Sequence, residues 1–271
     1  MRIITLLFLL ISISTIAQNK LEWKNRKPSA DYWQQDVAYK IKANIKERKL
    51  QIEGELELNY TNNSPDTLTE VYFHLYQNAF QENSHYDHLL KENGKNPWYG
   101  LYEKSGLGTT VDSIITNKGV DSLIYDNTIL RVQLTNPILP HETAKFDIKF
   151  TTYWGNGSNR RRMKAYYVEN KFIHFNGVHW YPRISVYDRK FGWTTEQHLD
   201  KEFYGDFGTF DVELNFPDDY VVEATGSLTN EASVLPDLLK KKLHISNYYH
   251  RGAGGTGDTL SIPTKRNIRK G

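Results

Sequence analysis

The sequence predicts an all-β domain, built as a large curved antiparallel sheet or a β-sandwich. Three observations predict it. Apolar and polar residues alternate with period two along most of the chain. Turn residues punctuate these runs at short intervals. Aromatic residues make up 13% of the 271 positions, and tyrosine (18) outnumbers phenylalanine (12), a usage that suits a pleated, half-buried surface.

The chain opens on Met1-Arg2, a short positive start, followed by the apolar run "IITLLFLLISI" and the small residues "STIA". The run is about half the ~20 residues needed to span a bilayer, so residues 1–17 read as a cleaved signal peptide and not as a transmembrane segment. The expected location is periplasmic, cell-envelope or secreted. Removing residues 1–17 takes away only Arg2. There is no cysteine, which excludes disulfides, thiolate chemistry, thiolate zinc sites and a lipid-modified cysteine after the apolar run.

Residues 18–235 read as one β domain. In "DVAYKIKANI", Val37, Tyr39, Ile41, Ala43 and Ile45 alternate with polar residues. "KERK" turns the chain, and "LQIEGELELNY" resumes the alternation. This is a hairpin with one wet face. Further alternating runs are Val71-Phe73-Leu75, Leu130-Val132-Leu134, Ala144-Phe146-Ile148-Phe150 and Phe210-Val212-Leu214-Phe216. The turns "NNSPD", "NPILPHE", "GNGSN" and "FPDD" separate them. The segment from Asn78 to Gly108 lacks period two and reads as a long surface excursion. "LPDLLKKKL" is the best candidate for a short helix. Residues 236–271 read as a linker or a truncated tail.

Charge excludes one class of function. Lys plus Arg is 34 and Asp plus Glu is 32, so the chain has no basic excess of the kind that marks a nucleic-acid binder. The candidate chemical motifs are weak. His85 and His88 flank Tyr86-Asp87 as His-x-x-His, but in a polar loop and without a third ligand. His174 and His179 bracket Asn176-Gly177, a spacing that favours packing or hydrogen bonding over a metal. His141-Glu142 begins like a zincin signature, but Lys145 stands where the second histidine belongs and the surroundings read as a turn entering a strand. "GAGGTGDT" has the glycine spacing of a phosphate loop, but Asp258 replaces its lysine and Pro263 spoils the helix that should follow. "NRRRMK" and "LKKKL" read as solvated basic clusters. No catalytic residue and no metal ligand is assigned within the chain.

The densest aromatic stretch is "HWYPRISVYDRKFGW", His179 to Trp193. Read as a strand, it puts Trp180, Pro182, Ile184 and Val186 on one face. Tyr181, Arg183, Ser185 and Tyr187 fall on the other, near solvent. Pro182 places the strand at an edge or at its start, and Trp193 folds back on the apolar face.

This stretch and its continuation resemble the end of the N-terminal β domain of aminopeptidase N-like zinc metallopeptidases (gluzincins), in their exported bacterial branch. The matching motifs are Trp180-Tyr181-Pro182, Tyr187-Asp188, Gly192-Trp193, Glu202-Phe203-Tyr204, Phe210-Asp211-Val212 and the hairpin-like run Asp219 to Gly226. The early hairpin resembles that family's first strands, and the match covers about residues 30–230. The resemblance implies a saddle-like β domain that packs on a thermolysin-like catalytic domain and forms part of the wall of its peptide-binding pocket. Zinc and the catalytic residues would belong to that missing domain, because neither its Gly-x-Met-x-Asn strand nor its His-Glu-x-x-His helix occurs here. The resemblance also implies a substrate-binding role for His179, because that position before Trp-Tyr-Pro is often glutamine in related chains. The chain is then expected to be a fragment or first part of an exported aminopeptidase. The alternative is a free-standing secreted β-sandwich that binds peptide or glycan.

Overall fold

The structure is a computed structural model that describes residues 32–158, 163–168, 172–199, 204–218, 220–235, 237–244, 249–250 and 259–260. The signal-peptide segment, the Asn159–Arg162 cluster, Glu202-Phe203 and the glycine-rich run at 252–257 lie outside the described residues. The chain divides into two compact units, Met1–Tyr220 and Val221–Gly271.

In the first unit, β1 (Asp36–Lys46) and β2 (Gln51–Thr61) form the expected hairpin around a 3-10 turn at Glu47–Lys49. Leu50 closes that turn in the left-handed region, at φ 48°. Every second residue of β1 from Val37 to Ile45 is buried, so period two maps directly onto one wet and one dry face. β7 (Thr143–Tyr153) pairs antiparallel with β2, and β4 (Thr109–Thr116) pairs with β7. β13 (Gly208–Asn215) lies parallel to β1, which gives a five-stranded sheet in the order β13-β1-β2-β7-β4. The sheet is therefore antiparallel apart from this one edge. The long chain between β1 and β13 permits the crossover that a parallel pair needs.

A second sheet has the order β10-β3-β6-β5, with β3 at Leu68–His74, β5 at Val120–Asp126, β6 at Ile129–Ile138 and β10 at Arg183–Ile184. The two sheets share one core. Leu56, Leu58, Tyr60, Phe146 and Ile148 from the first sheet pack with Val71, Phe73, Leu130 and Val132 from the second. This is the sandwich-like all-β architecture predicted from the alternation. A smaller cluster around Ala43, Ile45, Ile52, Trp154, Met163 and Ala165 extends the core toward the hairpin of β8 (Lys164–Val168) and β9 (Phe172–Asn176).

One glycine is dictated by this packing. Gly54 stands opposite Phe150 across the β2–β7 ladder. A Cβ there would sit 2.2 Å from Phe150 Cζ, because the ring lies flat over the strand. A glycine inside a strand marks such a close approach.

The Asn78–Gly108 segment corrects the expectation of a loop. It contains α1 (His85–Glu92) and α2 (Leu101–Lys104). Ser84 caps α1 by accepting the Asp87 N–H at 3.1 Å. Buried Asp87 binds Tyr99 Oη at 2.6 Å and Lys91 Nζ at 2.7 Å. Asn78 ties the segment to the sheets through the Thr109 N–H and the Asn127 carbonyl. The absence of period two here reflects short helices with buried polar anchors, not an untethered excursion. In the second unit, α3 (Glu231–Val234) precedes α4 (Asp237–Leu243), the short helix expected at "LPDLLKKKL". Tyr220–Ala224 carries no strand, although the resemblance implies a hairpin there. No described helix is long and apolar enough to cross a membrane.

Candidate functional site

The stretch from His179 to Trp193 is not one strand. Only Arg183–Ile184 joins a sheet, as the edge strand β10 against β3, with Arg183 opposite His74 and Ile184 opposite Phe73. Pro182 directly precedes it, which matches its placement at a strand start on an edge. β11 (Tyr187–Asp188) and β12 (Gly192–Trp193) make a separate two-residue hairpin. Trp193 packs back on the core beside Tyr60, Tyr72 and Tyr187. The face expected near solvent is only partly so. Ser185 is fully buried and Arg183 is half-buried; the Ser185 N–H donates to the Tyr72 carbonyl of β3 at 2.8 Å, and Gly205 lies against Arg183.

Three distant segments build the site around this edge. β3 ends at buried His74, and the chain continues into Tyr76. The turn after β9 delivers His179, whose backbone sits in the left-handed region at φ 56°. Few residue types other than glycine tolerate that conformation, though histidine does so more often than most. The segment after β12 delivers buried His198. Its N–H donates to Thr128 Oγ1 at 3.0 Å, and neighbouring Gln197 Oε1 accepts from Thr128 N–H and Oγ1 at 3.0 and 2.7 Å.

Tyr76 is the hub. Its ring stacks on His74 at 4.9 Å, tilts against His179 at 4.5 Å and meets His198 edge-on at 4.9 Å. His179 and His198 are 5.7 Å apart, ring to ring. Burial, reinforced by the Arg183 charge and the two other imidazoles, pushes the His74 pKa down to about 4, so this ring is neutral at pH 7. Burial also raises the Tyr76 and Tyr181 hydroxyls, against the pull of Arg183.

Arg183 links this aromatic group to a second polar group. The N–H of Ile184 donates to the Tyr39 hydroxyl at 3.0 Å, and Tyr39 stacks on Phe210 at 4.9 Å. The guanidinium lies so close to Gly205 that a Cβ there would be 1.6 Å from it. Beside it stands half-buried Asp206. Burial pushes its carboxyl up to about 6; Asp188 and Asp36 add to the rise, and Arg183 opposes it. Asp206 Oδ2 is buried and meets no donor among the described residues. The site thus combines one fixed positive charge, three imidazoles and a band of phenols. His74, Tyr76 and His198 are buried, so the groups that reach the surface are partly exposed His179, Tyr181 and Arg183, which can offer hydrogen bonds to a peptide backbone or a carboxylate.

Of the histidines singled out in the sequence, only His179 enters this cluster. His174 packs on Tyr166 at 4.9 Å instead. His85 and His88 lie on α1 and not in a loop, and His85 Nε2 is 3.5 Å from Asp126 Oδ1. His141 occupies the left-handed turn before β7 at φ 62°, and Glu142 pairs with Lys118. This is the turn entering a strand that the sequence indicated. Among the described residues no three His, Asp or Glu side chains converge to hold a metal. The sequence reading missed His74, Tyr76 and His198. The available signal was only their number, since nine histidines in a chain with no metal motif must pack somewhere.

No family model matches the sequence, and no curated protein does. Among solved structures, the chain is similar to an M1 zinc metallopeptidase from Deinococcus radiodurans, at 14% identity and a TM-score of 0.29 over 44% of this chain and 20% of that one. A variant of that peptidase bound to a Tyr-Ser-Ala substrate gives 13% identity and a TM-score of 0.39 over 73% of this chain and 36% of that one. A two-domain M1 zinc metallopeptidase variant bound to L-arginine gives 13% and 0.33, over 69% and 34%. The chain spans a fifth to about a third of the length of these proteins. Likeness at this level assigns no activity.

Proposed function

We propose that this chain is the N-terminal, non-catalytic β domain of an exported zinc metallo-aminopeptidase, an enzyme that removes N-terminal residues from peptides. On this reading it forms one wall of the peptide pocket of a thermolysin-like catalytic domain, with His179 at the substrate-facing rim. The observation that carries the reading is the ordered motif series Trp180-Tyr181-Pro182, Tyr187-Asp188, Gly192-Trp193 and Phe210-Asp211-Val212. These motifs fall on the turn before β10 and on β11, β12 and β13 in turn. An exported destination rests on the apolar N-terminal run alone.

The residues described do not fit zinc. His141-Glu142 lies in a turn, and among the described residues no set of three ligand side chains forms around His85 and His88. On this reading zinc chemistry belongs to the proposed partner domain, and no step is assigned to it on this chain. What these residues do is bind and orient. Tyr76 and His198 both pack against the His179 ring. The imidazole held there has two ring nitrogens with which to meet a peptide backbone.

The test uses this domain joined to a thermolysin-like catalytic domain encoded downstream of it. His179→Ala should raise KM for aminoacyl substrates, with a smaller effect on kcat. Unchanged KM and kcat across several substrates would return His179 to a packing role. Absence of a downstream His-Glu-x-x-His reading frame would remove the enzyme reading itself.

A further inference from the structure

The wet face of the five-stranded sheet alternates in charge from strand to strand. β13 presents Asp211 and Glu213, and β1 presents Lys40 and Lys42 directly opposite them. On the next strand, β2, Glu55 and Glu57 face those lysines. β7 then answers with Lys149 and Lys145, at 3.5 Å from Glu55 and 2.9 Å from Glu57. Lys42 and Glu213 complete the series at 3.3 Å. The series is broken at Asp147 of β7, which stands opposite Glu57 and pairs with Lys145 at 3.4 Å. At β13 the acidic pair has a basic strand on one side only, since β13 is the last strand of this sheet among the described residues.

Among the described residues no strand pairs with the outer edge of β13. Proteins usually blunt a free edge with lysine, proline, a bulge or a very short strand. Gly208–Asn215 is eight residues long, contains neither lysine nor proline, and pairs with β1 in unbroken register. About half of its N–H and C=O groups point away from β1. Its core-side residues Phe210 and Val212 remain 48% and 40% exposed, so an added strand would also cover apolar surface.

A second copy of the chain is a poor occupant. Antiparallel pairing of β13 with itself keeps the faces matched only when residues of equal parity stand opposite. The registers centred on Asp211, Val212 and Glu213 then set Asp211 against Asp211, Asp211 against Glu213, and Glu213 against Glu213. Like charges directly opposite destabilise a ladder.

We propose that β13 is a docking edge for an extended peptide segment with Lys or Arg at alternate positions and apolar residues between them, added as the next strand of the sheet. The basic side chains continue the charge series beyond Asp211 and Glu213, and the apolar ones cover Phe210 and Val212. Backbone hydrogen bonds give affinity and the alternating side chains give selectivity.

The experiment titrates the full chain into a fluorescein-labelled Thr-Lys-Val-Lys-Ile-Lys-Val-Thr peptide and follows anisotropy. Three controls accompany it: the same peptide with Glu for Lys, a version N-methylated at alternate amides, and the Asp211→Asn/Glu213→Gln protein, with its fold checked by circular dichroism. Saturable binding of the basic peptide, about tenfold or more tighter than the acidic one, supports the proposal, as does its weakening toward the acidic peptide's level in the double variant. Loss of binding on N-methylation identifies strand addition. No saturable binding, equal binding of the two charge types, or full binding of the N-methylated peptide overturns it. A dimer of the free chain in sedimentation that the double variant strengthens would assign the edge to a second copy, and would overturn it too.

Discussion

Replacing Gly54 by alanine should destabilise the domain through one contact. An alanine Cβ would stand 2.2, 2.4 and 2.8 Å from Phe150 Cζ, Cε1 and Cε2. Ordinary contact begins at 3.4 Å, so the ring must retreat by about 1.2 Å, the difference between 3.4 and 2.2. It has little room to do so, being 1% exposed and backed by Trp180 at a ring separation of 6.2 Å. Overpacking of this kind costs about 1–3 kcal/mol. Removing a glycine from a strand interior returns roughly 0.5–1 kcal/mol. The difference spans about 0 to 2.5 kcal/mol and centres near 1 kcal/mol, read as a lower urea midpoint at unchanged slope. Phe150→Leu in the same background should recover part of it, with a coupling of about 0.5–3 kcal/mol in the double-mutant cycle. A Gly54→Ala protein as stable as the parent, or a cycle with no coupling, would show that the ring does not need the space above residue 54.

The pH dependence of stability should contain two opposing contributions. His74 is held near pKa 4 by burial, against an ordinary 6.5, so stability present above pH 6.5 is lost as the pH falls toward 4, on the order of 3 kcal/mol in all. Asp206, raised by burial from 3.8 to about 6, does the reverse, and its contribution fades as pH rises through that window. Asp206→Asn should therefore raise stability at pH 7.5 by about 1–2 kcal/mol, discounted for partial exposure, and steepen the acid limb; a flat profile unaffected by the substitution would refute it. His74→Gln should flatten the same limb, checked by denaturant midpoints at half-unit pH steps between 4 and 7. Purified residues 18–271 should carry no stoichiometric zinc and show no chelator-sensitive cleavage of aminoacyl anilides, tested by elemental analysis and a zinc-supplemented assay. N-terminal sequencing of envelope or medium protein should begin at or near Gln18; an intact Met1 on a cytosolic product would sink export.

The first hairpin was fully legible because its information is local. Alternation sets the faces of β1 and β2, and a short charged turn joins them. α1 was harder. It is only two turns long, and its clearest signal, Ser84 three residues before Asp87, sits among histidines that draw attention toward metals. The parallel seat of β13 on β1 leaves no local trace, since both strands look the same whichever neighbour they take. His74 is the sharpest miss. It has the parity of the wet face of β3, yet β10 and His198 cover it from segments more than a hundred residues away. His179 was found by resemblance, but its partners Tyr76 and His198 come together only through that long-range closure.

The pairing of β1 with β13 has a consequence for biosynthesis. Val37 waits for Gly208, 171 residues later by their difference in number. At roughly 5–20 residues per second, that is an interval of about 10–35 s during which the first strand has emerged and one of its edges has no partner. The hairpin with β2 forms early and protects the other edge. The nascent chain therefore presents a bare amphipathic strand for most of its synthesis, and nothing shorter than about 215 residues can close the sheet in its native order. Stalled or prematurely terminated chains should be the ones that bind holdase chaperones.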